Sequence, residues 1–369
     1  MGQKKYIWQK GEWPHFKWDS EELIHELGKA RKAQGKIIAQ ADFIGLEAQA
    51  DLVVEEALTT STIEGENLNK KNVRSSVAKR LGLPDARLPE SQRHVDGLVQ
   101  MLLDATQNAN EALTQKRLFG WHAGLFPTGH SGIHSISVAK WRTGSEPMRV
   151  ISQRGDKEII HYEAPSSKKI PAEMKQFLEW WKRSRDTVDG LIRAGLAHFW
   201  FVSIHPFDDG NGRIARAITD MALTQDEQTQ RRLYSLSAQI LKERNSYYEV
   251  LEESRKESAD ITGWLNWFLK AYRNAIANSQ GVIDKALKVS QFWQEHKHIE
   301  MNERQLKVVN KILENGAAQF EGGMTNKKYV SITKTSPATA KRDLADLEKK
   351  GILKKNSSKG RSVSYRLVE

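Results

Sequence analysis

The stretch Leu191 to Ile204, LIRAGLAHFWFVSI, is apolar along most of its length and holds neither Pro nor a Gly-Pro break. Such a run reads as a buried helix. Pro206 disfavours helical geometry at His205, so the helix is expected to end there and leave an imidazole at its terminus. Gly210 and Gly212 then permit a tight turn with inward-pointing backbone N–H groups. The residues after them, from Arg213 to Leu223, return to helical periodicity. The chain must therefore bring a buried helix, a glycine turn and a second helix into one compact hairpin.

The turn is rich in chemistry. His205-Pro206-Phe207-Asp208-Asp209-Gly210-Asn211-Gly212-Arg213 is followed three residues on by Arg216. A glycine loop feeding a helix N-terminus is an anion site, because first-turn amides are unpaired and the helix dipole favours negative charge. Arg213 and Arg216 lie about one turn apart, with forked donors suited to phosphate oxygens. Asp209 is placed to hold Mg2+, which keeps several waters and bridges protein to phosphate. His205, with an ordinary pKa near neutrality, is the candidate general base. Phe207 is read as an apolar anchor for the loop. Two other phosphate motifs fail. Gly210-x-Gly212-x-x-Ala215 follows a helix where the dinucleotide fingerprint needs a strand, and Gly28 to Lys36 has the wrong spacing for a P-loop, with Ile37 in the Ser/Thr position.

A second pattern lies upstream. Phe43 to Ile63 reads as a helix with Gly65 as its C-cap, which puts Thr60 and Glu64 one turn apart on one face. A glutamate in a last helical turn opposes the dipole and is best placed beside a cation.

The run HPFDDGNGRxxR matches the signature HPFx(D/E)GNGRxxR at every position, and the chain therefore resembles the Fic proteins. The resemblance implies transfer of AMP from ATP to a Ser, Thr or Tyr hydroxyl of a protein target, or of the chain itself, with release of pyrophosphate. It makes His205 the base and Asp209 the Mg2+ ligand. The Gly210-Asn211-Gly212 backbone and the Asn211 side chain hold the α- and β-phosphates, Arg213 contacts the phosphates, and Arg216 holds the γ-phosphate. A phosphate-transferring subfamily has Lys in place of one of these glycines, and both glycines are intact here. Thr60-Ser-Thr-Ile-Glu64-Gly65 resembles the inhibitory helix (S/T)xxxE(G/N), spanning about 43–65, of Fic proteins that carry it before the core. By that resemblance Glu64 pairs with Arg216 and denies it to the γ-phosphate.

The segment from Pro147 to Glu163 has two β-branched runs around Arg154-Gly155-Asp156-Lys157 and reads as a hairpin. The resemblance makes it the flap over the active site, where an extended target segment would dock by its main chain and where Ile160 and His161 approach the nucleotide. Similar proteins line the adenosine pocket with a Tyr pair, here Tyr247 and Tyr248. The three histidines His122, His130 and His134 lack metal-ligand spacing and are read as packing or surface residues. Trp8, Trp13 and Trp18 are expected to pack a small N-terminal unit.

The fold class expected is mainly α: a helical Fic core with a β-hairpin flap and a C-terminal winged helix-turn-helix. Its divisions are 1–90, 91–280 and 300–369. In the last of these, helices over Glu303 to Leu313, Asn326 to Ile332 and Pro337 to Lys350 precede two β-prone runs. Between Ser336 and Arg366 there are nine Lys/Arg against three acids. That density suits DNA phosphates, with a protein-contact or dimerisation role as the alternative. The net charge of +11 suits ATP, nucleic acid or an acidic protein. With no Cys, disulfides and thiolate zinc sites are excluded, and a reducing, cytoplasmic setting is expected. No stretch reaches the ~20 apolar residues of a membrane span. Two functions compete: a protein adenylyltransferase, and a nucleotide-sensing DNA-binding regulator. Removal of AMP by the same site is an open alternative.

Overall fold

The computed structural model describes residues 6–83, 89–154, 157–256, 258–319, 322–356 and 363–368; of 152–154, 157–158 and 314–319 it describes the backbone alone. The chain divides into two compact units, residues 1–281 and 282–369.

In the first unit, helices α1 (Ser20–Ile38), α2 (Leu46–Ile63), α3 (Lys70–Leu81), α4 (Arg93–Gln107) and α5 (Gln115–Leu125) come first. A two-residue pair follows, β1 (His130–Ser131) with β2 (His134–Ser135), and then the hairpin β3 (Arg149–Arg154) and β4 (Lys157–Glu163). Helices α6 (Ile170–Arg183), α7 (Gly190–Ile204), α8 (Asn211–Glu227), α9 (Leu236–Lys242), α10 (Arg244–Ser254) and the part of α11 (Thr262–Glu295) up to Gly281 complete it.

The apolar run becomes α7, and every residue from Leu191 to Ile204 is buried. Asp189 starts it by accepting from the amides of Leu191 (3.0 Å) and Ile192 (3.2 Å), the side-chain cap that unpaired first-turn donors require. Each large apolar side chain so buried stabilises by about 1.5–3 kcal/mol, which is why α7 is the central element. Arg193 stays buried within it because its guanidinium donates to Ser184 Oγ, Trp181 O and Gln225 Oε1, and lies over the Trp181 ring. Helices α4 and α5 cross backbone to backbone at Gly97 and Gly124. A Cβ on Gly97 would lie 1.8 Å from the Gly124 carbonyl oxygen, so this crossing excludes any side chain there.

Two expectations need correction. Trp8 and Trp13 do not close a small N-terminal unit. Trp13 packs edge-on to Trp200 of α7 and donates to Glu173 Oε2 (2.8 Å), while Trp8 donates to Glu163 O (2.7 Å). An indole buries most area against the largest apolar surface available, and that surface is α7. The helix expected from Phe43 starts only at Leu46, after a 3-10 turn at Ala41–Phe43, because Gly45 is extended.

The second unit has α12 (Glu303–Gln319), β5 (Met324–Thr325), α13 (Asn326–Thr333), α14 (Pro337–Lys349), β6 (Leu353–Lys355) and β7 (Ser364–Leu367). Its antiparallel sheet runs in the order β5-β7-β6. Ser336 caps α14 on the Thr339 amide with Pro337 at the first helical position, the start read from the sequence. Leu344, Leu347, Ile352, Tyr329 and Val308 share its core. The turn of the β3–β4 hairpin at 155–156 and the tip between β6 and β7 lie outside the described residues. No helix among the described residues is long and apolar enough to cross a membrane.

Candidate active site

The site is the α7–α8 loop and the segments that touch it. His205 caps α7, but not in the extended geometry that Pro206 favours. It takes the left-handed conformation, φ 53° and ψ 61°, and its amide donates to Phe201 O (3.0 Å). A side chain is disfavoured in that region, and surrounding bonds must hold it. Arg142 does so, donating from Nε to His205 O (2.7 Å) and from its amide to Pro206 O (3.0 Å), with Nη2 on Pro165 O. The His205 Nδ1 faces Val202 O at 3.4 Å, which favours Nδ1–H and leaves Nε2 as proton acceptor. Burial, then the Arg255 and Arg142 charges, push its pKa down to about 4. The imidazole is therefore neutral at pH 7, and proton-accepting capacity is lost only as pH falls through about 4. The acid limb of kcat/KM for any reaction using His205 as base is expected well below 6.5. A limb at 6.5 in a pH–rate profile would show an unperturbed imidazole instead.

Phe207 is fully buried and stacks on His122, with centroids 4.2 Å apart. His122, dismissed at the sequence level as a packing residue, also holds the loop. Its Nδ1 accepts from the Ala139 amide (3.2 Å), so its Nε2–H donates to Asp209 O (3.2 Å). That pattern needs the neutral ring, and burial lowers its pKa to about 4. The Asp209 carboxylate accepts from the Gly210 amide (2.5 Å) and from Ser131 Oγ. Asp208 takes the Ser137 amide (2.8 Å). No cluster of three metal-type ligands occurs among the described residues. A single carboxylate with partners that polarise it suits Mg2+, which draws most of its ligands from water and substrate phosphate.

Gly210 has φ 82°, and a Cβ there would lie 2.8 Å from the Phe126 ring. This glycine makes the turn; Gly212 does not. It sits in the first turn of α8, and the space of its missing side chain is filled by Glu64, whose Oε1 would be 2.1 Å from a Cβ. The Asn211 amide is not free for phosphate either. It accepts from Phe207 N (2.9 Å) and donates to Phe207 O (2.8 Å), satisfying both backbone groups of a residue outside any helix. Asn211 acts on the loop's shape, and the α8 amides are what remain for an anion.

Arg216 is 2% exposed. Its Nε donates to Thr60 Oγ1 (2.7 Å), and Nη2 donates to Thr60 O (3.0 Å) and Glu64 Oε1 (2.7 Å). Burial alone would lower its pKa, but the Glu64 carboxylate, with Tyr247 and Tyr248 beside it, holds the pKa above the ordinary arginine value. Arg213 is also engaged, which the sequence reading missed: Nη1 donates to Glu66 Oε2 (3.0 Å), and the guanidinium lies over Phe126. Its buried Nε has no acceptor among the described residues, a donor left for an anion. Gly65, with φ 85°, lets the chain leave α2 between the two glutamates. Glu56, one turn before Thr60 and 1% exposed, accepts from Ser235 Oγ (2.7 Å) and faces Arg232, fixing α2 against α9. Only the helical phase of Glu56 marks it in the sequence, since Ser235 and Arg232 are remote.

The two tyrosines separate. Tyr247 is 3% exposed and donates to His198 Nε2 (2.8 Å) between Trp264 and Trp267. It is a core residue. Tyr248 is 39% exposed beside Arg244 and can meet a ligand. On β4 His161 falls at the register shift opposite Val150/Ile151, and its Nδ1 meets Glu252 Oε2 at 2.6 Å on α10. Ile160 pairs with Ile151, and Tyr162 donates to Ser203 O (2.7 Å), two residues before His205. The hairpin is thereby tied to both α7 and α10.

The central hairpin of this mainly α bundle thus brings an imidazole, a carboxylate and two arginines together around a helix N-terminus. Residues 112–223 match the Fic/DOC family, and residues 6–83 match a domain of unknown function, DUF4172. The chain thus carries a Fic/DOC family segment over residues 112–223. It is 36% identical over 55 residues to protein adenylyltransferase fic-1 of Caenorhabditis elegans, a match covering 15% of this chain and only 11% of that relative. Among solved structures it resembles a Fic family protein from Desulfovibrio desulfuricans G20, with a TM-score of 0.56, 16% identity and 94% and 96% of the two chains covered. It also resembles a Fic domain-containing signaling protein from Bacteroides thetaiotaomicron VPI-5482, with a TM-score of 0.51, 14% identity and 73% and 98% covered.

Proposed function

We propose that the chain is an ATP-dependent protein adenylyltransferase held inactive by its own residues 60–66. The observation that carries this reading is the position of the Glu64 carboxylate, in the space beside Gly212 and bonded to Arg216. A γ-phosphate needs that guanidinium, and cannot have it while Glu64 does.

In the released state, the α8 amides and Arg213 would hold the α- and β-phosphates, Arg216 the γ-phosphate, and Asp209 a Mg2+ ion. The metal would neutralise charge on the phosphates. Tyr248 would lie against the nucleoside. His205 Nε2 would take the proton of a target hydroxyl as its oxygen bonds to the α-phosphorus; the bond from that phosphorus to the bridging oxygen breaks, and pyrophosphate leaves. The target segment would extend the β3–β4 hairpin through main-chain hydrogen bonds. The decisive experiment is mass spectrometry of the purified chain after incubation with Mg-ATP. An added AMP on a hydroxyl supports the reading, and its absence from both the chain and its Glu64→Gly variant overturns it.

Glu66 is a second restraint. Its side chain is 38% exposed, so the pair with Arg213 is worth only about 1 kcal/mol. Glu66→Gln is expected to raise steady-state transfer about fivefold, on the scale of that energy. A fall in rate would show that Glu66 supports the site instead of restraining it.

A further inference from the structure

Helices α13 and α14 are joined by the three residues 334–336, the connection length of a DNA-reading helix-turn-helix. Helix α14 buries Ala340, Asp343, Leu344 and Leu347, and turns Ala338, Lys341, Arg342, Ala345 and Lys349 to solvent. The exposed face thus combines small side chains, which allow close approach, with long cations. Its acids are all used inside the unit. Asp343 accepts from Arg304 (2.8 Å) and Tyr329 (2.9 Å), Asp346 pairs with Lys350 (2.6 Å), and Glu348 pairs with Lys355 (2.9 Å). Lys341, Arg342 and Lys349 have no ion-pair partner among the described residues. On the neighbouring sheet Lys354 and Arg366 stand directly opposite each other in register, a like-charge pair that disfavours the sheet unless an anion lies near.

From this placement we propose that α14 and the β6–β7 pair form a duplex-DNA-binding surface. The α14 face with Lys341 and Arg342 enters the major groove, and Lys349, Lys354 and Arg366 meet phosphates. Small and basic residues at the N-terminal half of a second helix suit base edges, where Arg and Lys reach guanine and Ala meets the thymine methyl. A protein partner would instead call for an apolar patch, and the exposed face of α14 offers only alanines among basic residues. The inference is independent of AMP transfer.

The test is fluorescence anisotropy of the full chain with a labelled mixed-sequence duplex across about 50 to 200 mM salt. Lys341→Ala with Arg342→Ala is expected to weaken binding at least about tenfold and to lower the salt slope by about 2. Lys32→Ala with Lys36→Ala, two exposed cations on α1 that remove the same charge, should change affinity less than about twofold. Equal losses in both variants would reduce the binding to net charge and overturn the proposal. So would no binding at low salt, tighter binding to duplex RNA than to DNA, or a dimer that the α14 substitutions dissociate without any effect of DNA.

Discussion

Replacing Glu64 with Gly is expected to raise self-modification from [α-³²P]ATP roughly 30- to 150-fold. The proposed lock is an ion pair with Arg216 2% exposed and Glu64 28% exposed at the side chain. It lies between a surface pair and a fully buried one, at about 2–3 kcal/mol, and that energy sets the factor by which the open state is suppressed. Two accompanying results distinguish unlocking from damage. Without nucleotide the variant should melt a few degrees lower, because a buried guanidinium keeps only Thr60. Added Mg-ATP should restore the loss, because phosphate replaces the carboxylate. Thr60→Val, which removes one hydroxyl acceptor but leaves the Thr60 carbonyl, should give a smaller rise. An unchanged or lower rate in the Glu64 variant would end the autoinhibition reading.

His205→Ala should abolish transfer, by on the order of 10²- to 10⁴-fold, the usual contribution of a positioned base. ATP affinity, measured by calorimetry, should change little, because the proposed anion-binding groups are the α8 amides and the arginines. His205 sits at the end of α7, where Arg142 holds its backbone carbonyl. Equal transfer in wild type and variant would show that His205 is not the base. Made in the Glu64→Gly background, the substitution has a larger signal to remove, and the order of effects becomes unambiguous.

Much of the fold was legible because its cues are local. The α7 run, Ser336-Pro337 at the start of α14 and the β-branched runs of the β3–β4 hairpin each act through neighbours in sequence. The Glu64–Arg216 pair was legible only through a recognised pattern, since 152 residues separate the partners. What stayed hidden depends on approach in space. Nothing near His122 reveals that it holds Asp209, and nothing near Arg142 reveals that it fixes the His205 turn. The tyrosine pair shows the same limit. Adjacent positions on a helix face different surroundings, and only packing against Trp264 and Trp267 decides that Tyr247 is core and Tyr248 accessible.

By itself the sequence determined the chemical groups and their order: a base before a proline, a carboxylate, a turn glycine at Gly210, and two arginines on one helix. It could do so because backbone preference and helix periodicity operate within a few residues. Tertiary structure alone decided how those groups are engaged. It turned Asn211 onto the loop backbone, placed Glu66 on Arg213, and made Gly212 a space for a carboxylate. The physical reason is close packing: once α2 lies against α8, the volume beside Gly212 is filled by the Glu64 carboxylate, a partner remote in sequence.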